Sequence, residues 1–254
     1  MSEQIHTTGP TDPAPSSTPD PKRRQIWQNA QRILGVVVVA LLVLAVATLW
    51  GKSEHRSDRD DGPRRTQTFA VTDFQEVSLD GIGDVDIRVG EAYHVEVSAS
   101  EETLNYMKIT VEDSSLQIGF EVDDDGDIHI NDERIHIRIT APSLREVRLE
   151  GLGDVKISGL VGESFAVTLA GVGNIRGSGK VDELTVELGG MGDVNFTNLE
   201  ARNAEVELDG VGDVDVWATE SIRARLDGMG DISYRGDPER VRRRINGIGD
   251  IHGD

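Results

Sequence analysis

Seven short motifs hold the residues of this chain whose types and spacing best suit chemistry. Each runs glycine, apolar residue, glycine, then Asp or Asn. They are Gly81-Ile82-Gly83-Asp84, Gly151-Leu152-Gly153-Asp154, Gly171-Val172-Gly173-Asn174, Gly190-Met191-Gly192-Asp193, Gly210-Val211-Gly212-Asp213, Gly228-Met229-Gly230-Asp231 and Gly247-Ile248-Gly249-Asp250. If the motifs stack, Asp84, Asp154, Asn174, Asp193, Asp213, Asp231 and Asp250 form one column at strand spacing. Like charges about 4.8 Å apart repel by roughly 1 kcal/mol in water, and by more beside a low-dielectric wall. Two arrangements would relieve this. A row of divalent cations would neutralise the charge, with Ca²⁺ favoured by ligands that are all oxygen. Alternatively, each side chain accepts hydrogen bonds from N–H groups of the turn. Asn174 suits the second arrangement, because it keeps the acceptor and drops the charge. The position before each motif is irregular: Asp80, Glu150, Ala170, Gly189, Asp209, Asp227 and Asn246.

A second oxygen-rich segment runs from Glu121 to Asp132 and approximates a calcium loop. Oxygen-bearing side chains fall at positions 1, 3, 5 and 12 (Glu121, Asp123, Asp125, Asp132), with Gly126 at position 6. Strand-like residues flank it where a calcium loop has helices, so an acidic hairpin tip is the other reading. Other chemistries find little support. The chain has no cysteine, which excludes disulfides, thiolate metal sites and a thiol nucleophile. His94, His129, His136 and His252 are scattered, and no Ser–His–Asp set follows from spacing. The G-x-G units lack the G-x-G-x-x-G spacing and the helix that a dinucleotide site requires. Trp217 is the only tryptophan outside residues 1–50, a poor supply of platforms for sugars. No catalytic residue and no cofactor beyond Ca²⁺ is therefore expected.

The elements that position the motifs follow from their spacing. From the second copy onward they recur every 20, 19, 20, 18 and 19 residues. Period-2 alternation flanks each one, as in Leu184-Val186-Leu188 before a motif and Val194-Phe196 after it, which is the strand signature. A unit of about 19 residues cannot bury its own apolar face, so neighbours must stack. A right-handed parallel β-helix fits, with coils of about 19 residues and the glycines at the corners. Regular coils are expected over 145–254 and an irregular β cap over 67–144, including a helical turn at Glu101–Met107. Near the end, Arg240, Arg242, Arg243 and Arg244 interrupt the acidic pattern. If Val241 and Ile245 face inward, so does Arg243, and the cluster either caps the open coil or serves as a docking patch.

Charge divides the chain. Residues 1–65 carry 9 Lys/Arg against 7 Asp/Glu, while residues 66–254 carry 17 against 39. A domain that acidic repels phosphate backbones, which excludes nucleic acid as a partner. Residues 1–32 read as a disordered cytoplasmic tail, and 33–50 (ILGVVVVALLVLAVATLW) is free of charge. At 1.5 Å per residue that run spans roughly 27 Å, near the thickness of a bilayer core. Trp27 and Trp50 suit the interfaces. The expectation is a single transmembrane helix and signal anchor, with 51–66 as a tether; cleavage after Ala45-Val46-Ala47 is the competing reading.

Opening with Phe74 and Val77-Ser78-Leu79-Asp80, joined by Ile139-Thr140-Ala141-Pro142-Ser143-Leu144 and followed by the serial turns, residues 74–252 resemble the bacterial head GIN-domain family of auto-transporter adhesin-like proteins. The resemblance implies a β-helical domain exposed in the cell envelope and brings no catalytic residues. The function expected is a non-enzymatic interaction module anchored in the inner membrane, its C-terminal domain periplasmic or extracellular. Its ligand would be a protein, a glycan or a second copy of the chain. A carbohydrate-active enzyme on the same scaffold and an envelope sensory or regulatory protein are the alternatives.

Overall fold

The computed structural model of the protein describes residues 64–121 and 135–253. The apolar run 33–50 and the segment holding Asp123, Asp125 and Asp132 lie outside the described residues. Among the described residues no helix is long and apolar enough to cross a membrane.

The strands in chain order are β1 (Arg64–Phe69), β2 (Glu76–Leu79), β3 (Asp84–Val89), β4 (His94–Ser100), β5 (Met107–Glu112), β6 (Ser115–Phe120), β7 (His136–Ala141) and β8 (Glu146–Leu149). Then come the long strands β9 (Val155–Leu169), β10 (Ile175–Leu188), β11 (Val194–Leu208) and β12 (Val214–Leu226), followed by β13 (Ile232–Arg235), β14 (Arg240–Ile245) and β15 (Ile251–Gly253). One short helix, α1 (Glu101–Tyr106), lies between β4 and β5; the Ser100 side chain accepts the Thr103 N–H at its start. The architecture is an all-β solenoid of about five turns.

Stacking is parallel and in register. Val155, Ile175, Val194, Val214, Ile232 and Ile251 fall above one another, as do Leu149, Leu169, Leu188, Leu208, Leu226 and Ile245. The alternation seen in the sequence places these columns inside the solenoid, where all but the last member of each is essentially inaccessible. Where Phe196 enters the core, a Cβ on Gly177 would lie 2.6 Å from its ring, so a glycine opposite makes the space.

The N-terminal part is stacked out of sequence order. Strand β6 lies parallel to β2, and β7 parallel to β3, although both come later in the chain. The coil built from β6 and β7 therefore sits on one side of the first motif, and the coil of β8 and β9 on the other. Antiparallel pairing of β4 with β7, β1 with β4 and β5 with β6 completes that end. The first two motifs, at Gly81 and Gly151, are far apart in sequence for this reason. Strand β1 begins at Arg64, so the last three residues assigned to the tether belong to the fold. Its outward-facing polar residues gave no apolar alternation, and pairing with β4 orders them.

At the other end, among the described residues, β14 pairs only with β12 and β15 only with β13. Val241 and Ile245 are exposed there because, among the described residues, no further coil covers them. Arg243 follows Ala224 on the inner parity. Its guanidinium donates to the Tyr234 hydroxyl and to the Ile251 carbonyl at 3.1 Å, and lies 5.0 Å from the centroid of the Tyr234 ring. Arg243 thus lids the open coil, the capping role among the two readings of the arginine cluster.

The corners explain why the motif needs two glycines. Gly212 has φ +144°, and a Cβ there would lie 1.9 Å from the carbonyl oxygen of Gly192 in the preceding coil. A Cβ on Gly210 would meet the Gly190 carbonyl oxygen at 2.1 Å. Backbone meets backbone at this corner, with no room for a side chain. Gly189, just before a motif, has nothing within 4 Å of its Cβ position. Gly212→Ala should therefore cost more than about 3 kcal/mol, while Gly189→Ala should leave stability within about 0.5 kcal/mol of the parent. Urea unfolding followed by circular dichroism compares the two.

Candidate functional site

Strand alternation continues through each turn and decides what the corner presents. Leu208 and Val214 both face the core. Counting in twos between them puts Gly210 and Gly212 on the inner parity, and Asp209, Val211 and Asp213 on the outer. Parallel bridges link the middle residues of all seven motifs in series: Ile82, Leu152, Val172, Met191, Val211, Met229 and Ile248. Each of their N–H groups from Leu152 onward donates to the carbonyl of the first glycine of the preceding turn, at 2.7–2.9 Å. Five of these side chains are 37–47 % exposed and Ile248 is 71 % exposed, with Val172 intermediate. The result is an apolar ridge along one corner. The residue types hide this ridge, because an apolar residue between two glycines reads as part of a turn; the alternation carried through the glycines is the signal that reveals it.

The Asp/Asn column runs beside this ridge, and its side chains bond coil to coil. Asp84 Oδ1 accepts the N–H of Asp154 at 3.1 Å, and Asp154 Oδ1 accepts that of Asn174 at 2.8 Å. Asn174 Oδ1 accepts from Asp193 at 3.1 Å, Asp193 from Asp213 at 3.0 Å, Asp213 from Asp231 at 2.9 Å, and Asp231 from Asp250 at 2.8 Å. Asn174 also donates its amide to Asp154 Oδ1 at 2.9 Å, a bond that an aspartate could not make. Each acceptor thus takes an N–H of the next coil, rather than one within its own turn as an Asx cap would. All seven predicted residues are brought into one line. No three of them form a group with ligand atoms within 4.8 Å of one another, among the described residues. Near its start, Asp84, Asp86, His136, Asp154, Lys156 and Arg176 line a shallow open depression, with His136 Nδ1 3.9 Å from Asp84 Oδ2.

The group that does meet that distance lies on the other side of the ridge and consists of Glu207, Asp209 and Asp227. Burial pushes the Glu207 carboxyl up, helped by the charge of Asp209. Burial likewise raises Asp209, followed by the charge of Asp227. Asp227 moves the other way: burial would raise it, but hydrogen bonds from Arg225 and from Asn246 Nδ2 at 2.7 Å outweigh burial. Arg225 also pairs with Glu207 at 3.2 Å, so it supplies the counter-charge of the cluster.

The family model described as "Putative auto-transporter adhesin, head GIN domain" matches residues 73–238. Among solved structures, a putative adhesin from Bacteroides fragilis is similar with 23 % identity and a TM-score of 0.62, over 76 % of this chain and 97 % of that one. A putative adhesin from Parabacteroides merdae covers the same shares, 76 % and 97 %, at 19 % identity and a TM-score of 0.47. The Bacteroides fragilis likeness is one of fold. No curated protein matches the chain. Residues 58–254 form a compact unit of their own, and the Bacteroides fragilis fold is complete over nearly its whole length against this chain. The fragment 58–254 therefore carries the fold by itself.

Two outcomes follow for that fragment. Asp193→Ala should lose about 1 kcal/mol, the net worth of one such hydrogen bond, whereas Asp193→Asn keeps the acceptor and should lose nothing; urea unfolding distinguishes them. Because Asp209 titrates higher in the fold than unfolded, its ionised form costs stability above its folded pKa, and that cost disappears as pH falls through it. Asp209→Asn should thus raise Tm at pH 7, and the gain should disappear as pH falls through the raised pKa of Asp209, where the parent takes up its own proton.

Proposed function

This chain belongs to the head GIN-domain family, and from that membership we propose that it is a non-enzymatic, adhesin-like interaction module of the bacterial envelope. Residues 33–50 anchor it in the inner membrane, and the solenoid stands on the periplasmic or extracellular side as the part that meets a protein or glycan partner. The observation that carries this reading is the corner itself. One chemical pattern, an apolar side chain between two glycines, repeats at strand spacing across seven turns, with a carboxylate following it in six of them and preceding it in four. Such a surface suits contact along a line with an elongated partner. Surfaces of this kind are the usual product of stacked repeats, whose function lies on an extended face.

Protease accessibility of the full chain, tagged at its C-terminus and expressed in a Gram-negative host, tests the placement. The expected result is digestion of the tagged domain in spheroplasts or in intact cells. Protection in both, with digestion only after lysis, would put the domain in the cytoplasm and overturn the reading.

A further inference from the structure

The ridge and its rims together define what would bind there. Seven apolar residues stand in line, five of them 37–47 % exposed and Ile248 71 % exposed, and contiguous exposed apolar patches of this kind are often functional. On one side runs the column with its six carboxylates; on the other stand Asp80, Glu150, Asp209 and Asp227. Neither rim contains a Lys or Arg. In the columns one step further out, Arg148, Lys156 and Arg176 flank the earlier coils, Glu187, Glu207 and Asp215 the middle ones, and Arg225 and Arg244 the last two. Negative charge is therefore densest around Val211, where Asp209, Asp213, Glu207 and Asp215 all lie.

Resting on the interaction-module reading above, we propose that this ridge docks a cationic amphipathic α-helix of a partner protein, laid along the solenoid with its apolar stripe on Met191, Val211 and Met229 and its Lys/Arg side chains over the two rims. Charge decides against the other occupants. A second copy would bring carboxylate rim against carboxylate rim, and an anionic bilayer would be repelled in the same way. Spacing decides the partner's conformation. Ridge side chains recur at about 4.8 Å, so six steps cover about 29 Å. A helix brings its apolar stripe round every 5.4 Å and spans that length in about 19 residues. One face of an extended strand repeats only every 6.6–6.8 Å, roughly three times the mismatch per step. Asp193, Asp213 and Asp231 hold the next coil through Oδ1, which leaves Oδ2 for the partner.

The test is fluorescence anisotropy of fragment 58–254 with synthetic 20-residue peptides at about 0.15 M salt. The main probe carries leucines at helical spacing and lysines elsewhere. A second peptide has the same composition in strict alternation, and a third replaces every leucine by serine. The helical peptide should bind at least tenfold more tightly than either. The triple variant Met191→Ser, Val211→Ser, Met229→Ser should weaken it about tenfold while keeping the parent Tm, since these side chains are outside the core. Asp209→Asn with Asp213→Asn, which preserves the column's acceptors, should weaken it and flatten its salt dependence. Equal binding of all three peptides, undiminished binding by the folded serine variant, or no binding of the helical peptide would each overturn the proposal. Those results would leave the envelope placement untouched, because protease accessibility reads it separately.

Discussion

The structure depends on how closely one coil's backbone can approach the next at a single corner. At the two glycines of each turn from Gly151 onward, the oxygen of the preceding turn sits about where a Cβ would be. That contact permits an N–H from the middle residue to reach the first glycine's carbonyl below it, and an N–H from the second glycine to reach the middle residue's carbonyl above. With the corner locked in this way, successive coils cannot slip by a residue without driving side chains into backbone. Register on the walls is then fixed, and with it the inner columns of valine, leucine and isoleucine. A one-residue slip would turn every apolar side chain outward.

The same register creates an electrostatic difficulty and supplies its relief. Stacking places carboxylates above one another along the solenoid, where they repel. Each one stays close to the next because an oxygen accepts an N–H of the following coil, a favourable charge–dipole contact that offsets part of the repulsion. The charged column is thus also a bonded column, and Asn174 fits within it because it preserves the acceptor. Beside the opposite rim the relief is an arginine one column further out: Arg225 reaches Glu207 and Asp227, while Asp209 keeps a raised pKa. The outer apolar residues between these rims are held by the same backbone bridges, so they form a rigid file.

Much of this was legible in the sequence because the corner is written in residue types. Two glycines and an acid at near-constant spacing identify a stacked β fold, its turns and the column. The helical turn expected at Glu101–Met107 appears as α1, Glu101–Tyr106. The coil of β6 and β7 was not legible, since the described residues bounding it carry no G-x-G signal and its place against β2 and β3 is decided by tertiary pairing. Strand β1 was missed because Arg64-Arg65-Thr66 are outward-facing and polar. The ridge was hidden for a subtler reason: an apolar residue between glycines reads as a turn filler, although the alternation of Leu208 and Val214 already assigns Val211 to the outer face. The cross-coil reach of the Asp side chains needed the three-dimensional stacking, which no local turn chemistry specifies.

Because the corners hold the stack, their amides should behave as core amides. Native-state hydrogen exchange of fragment 58–254, resolved by residue, compares the N–H groups of Met191, Val211 and Met229 with those of Val186 and Val206 in the walls. The account predicts equal protection, with all five exchanging only through global unfolding. If the corner amides exchange orders of magnitude faster than the wall amides, the turns are ordinary mobile loops and the corner does not organise the fold.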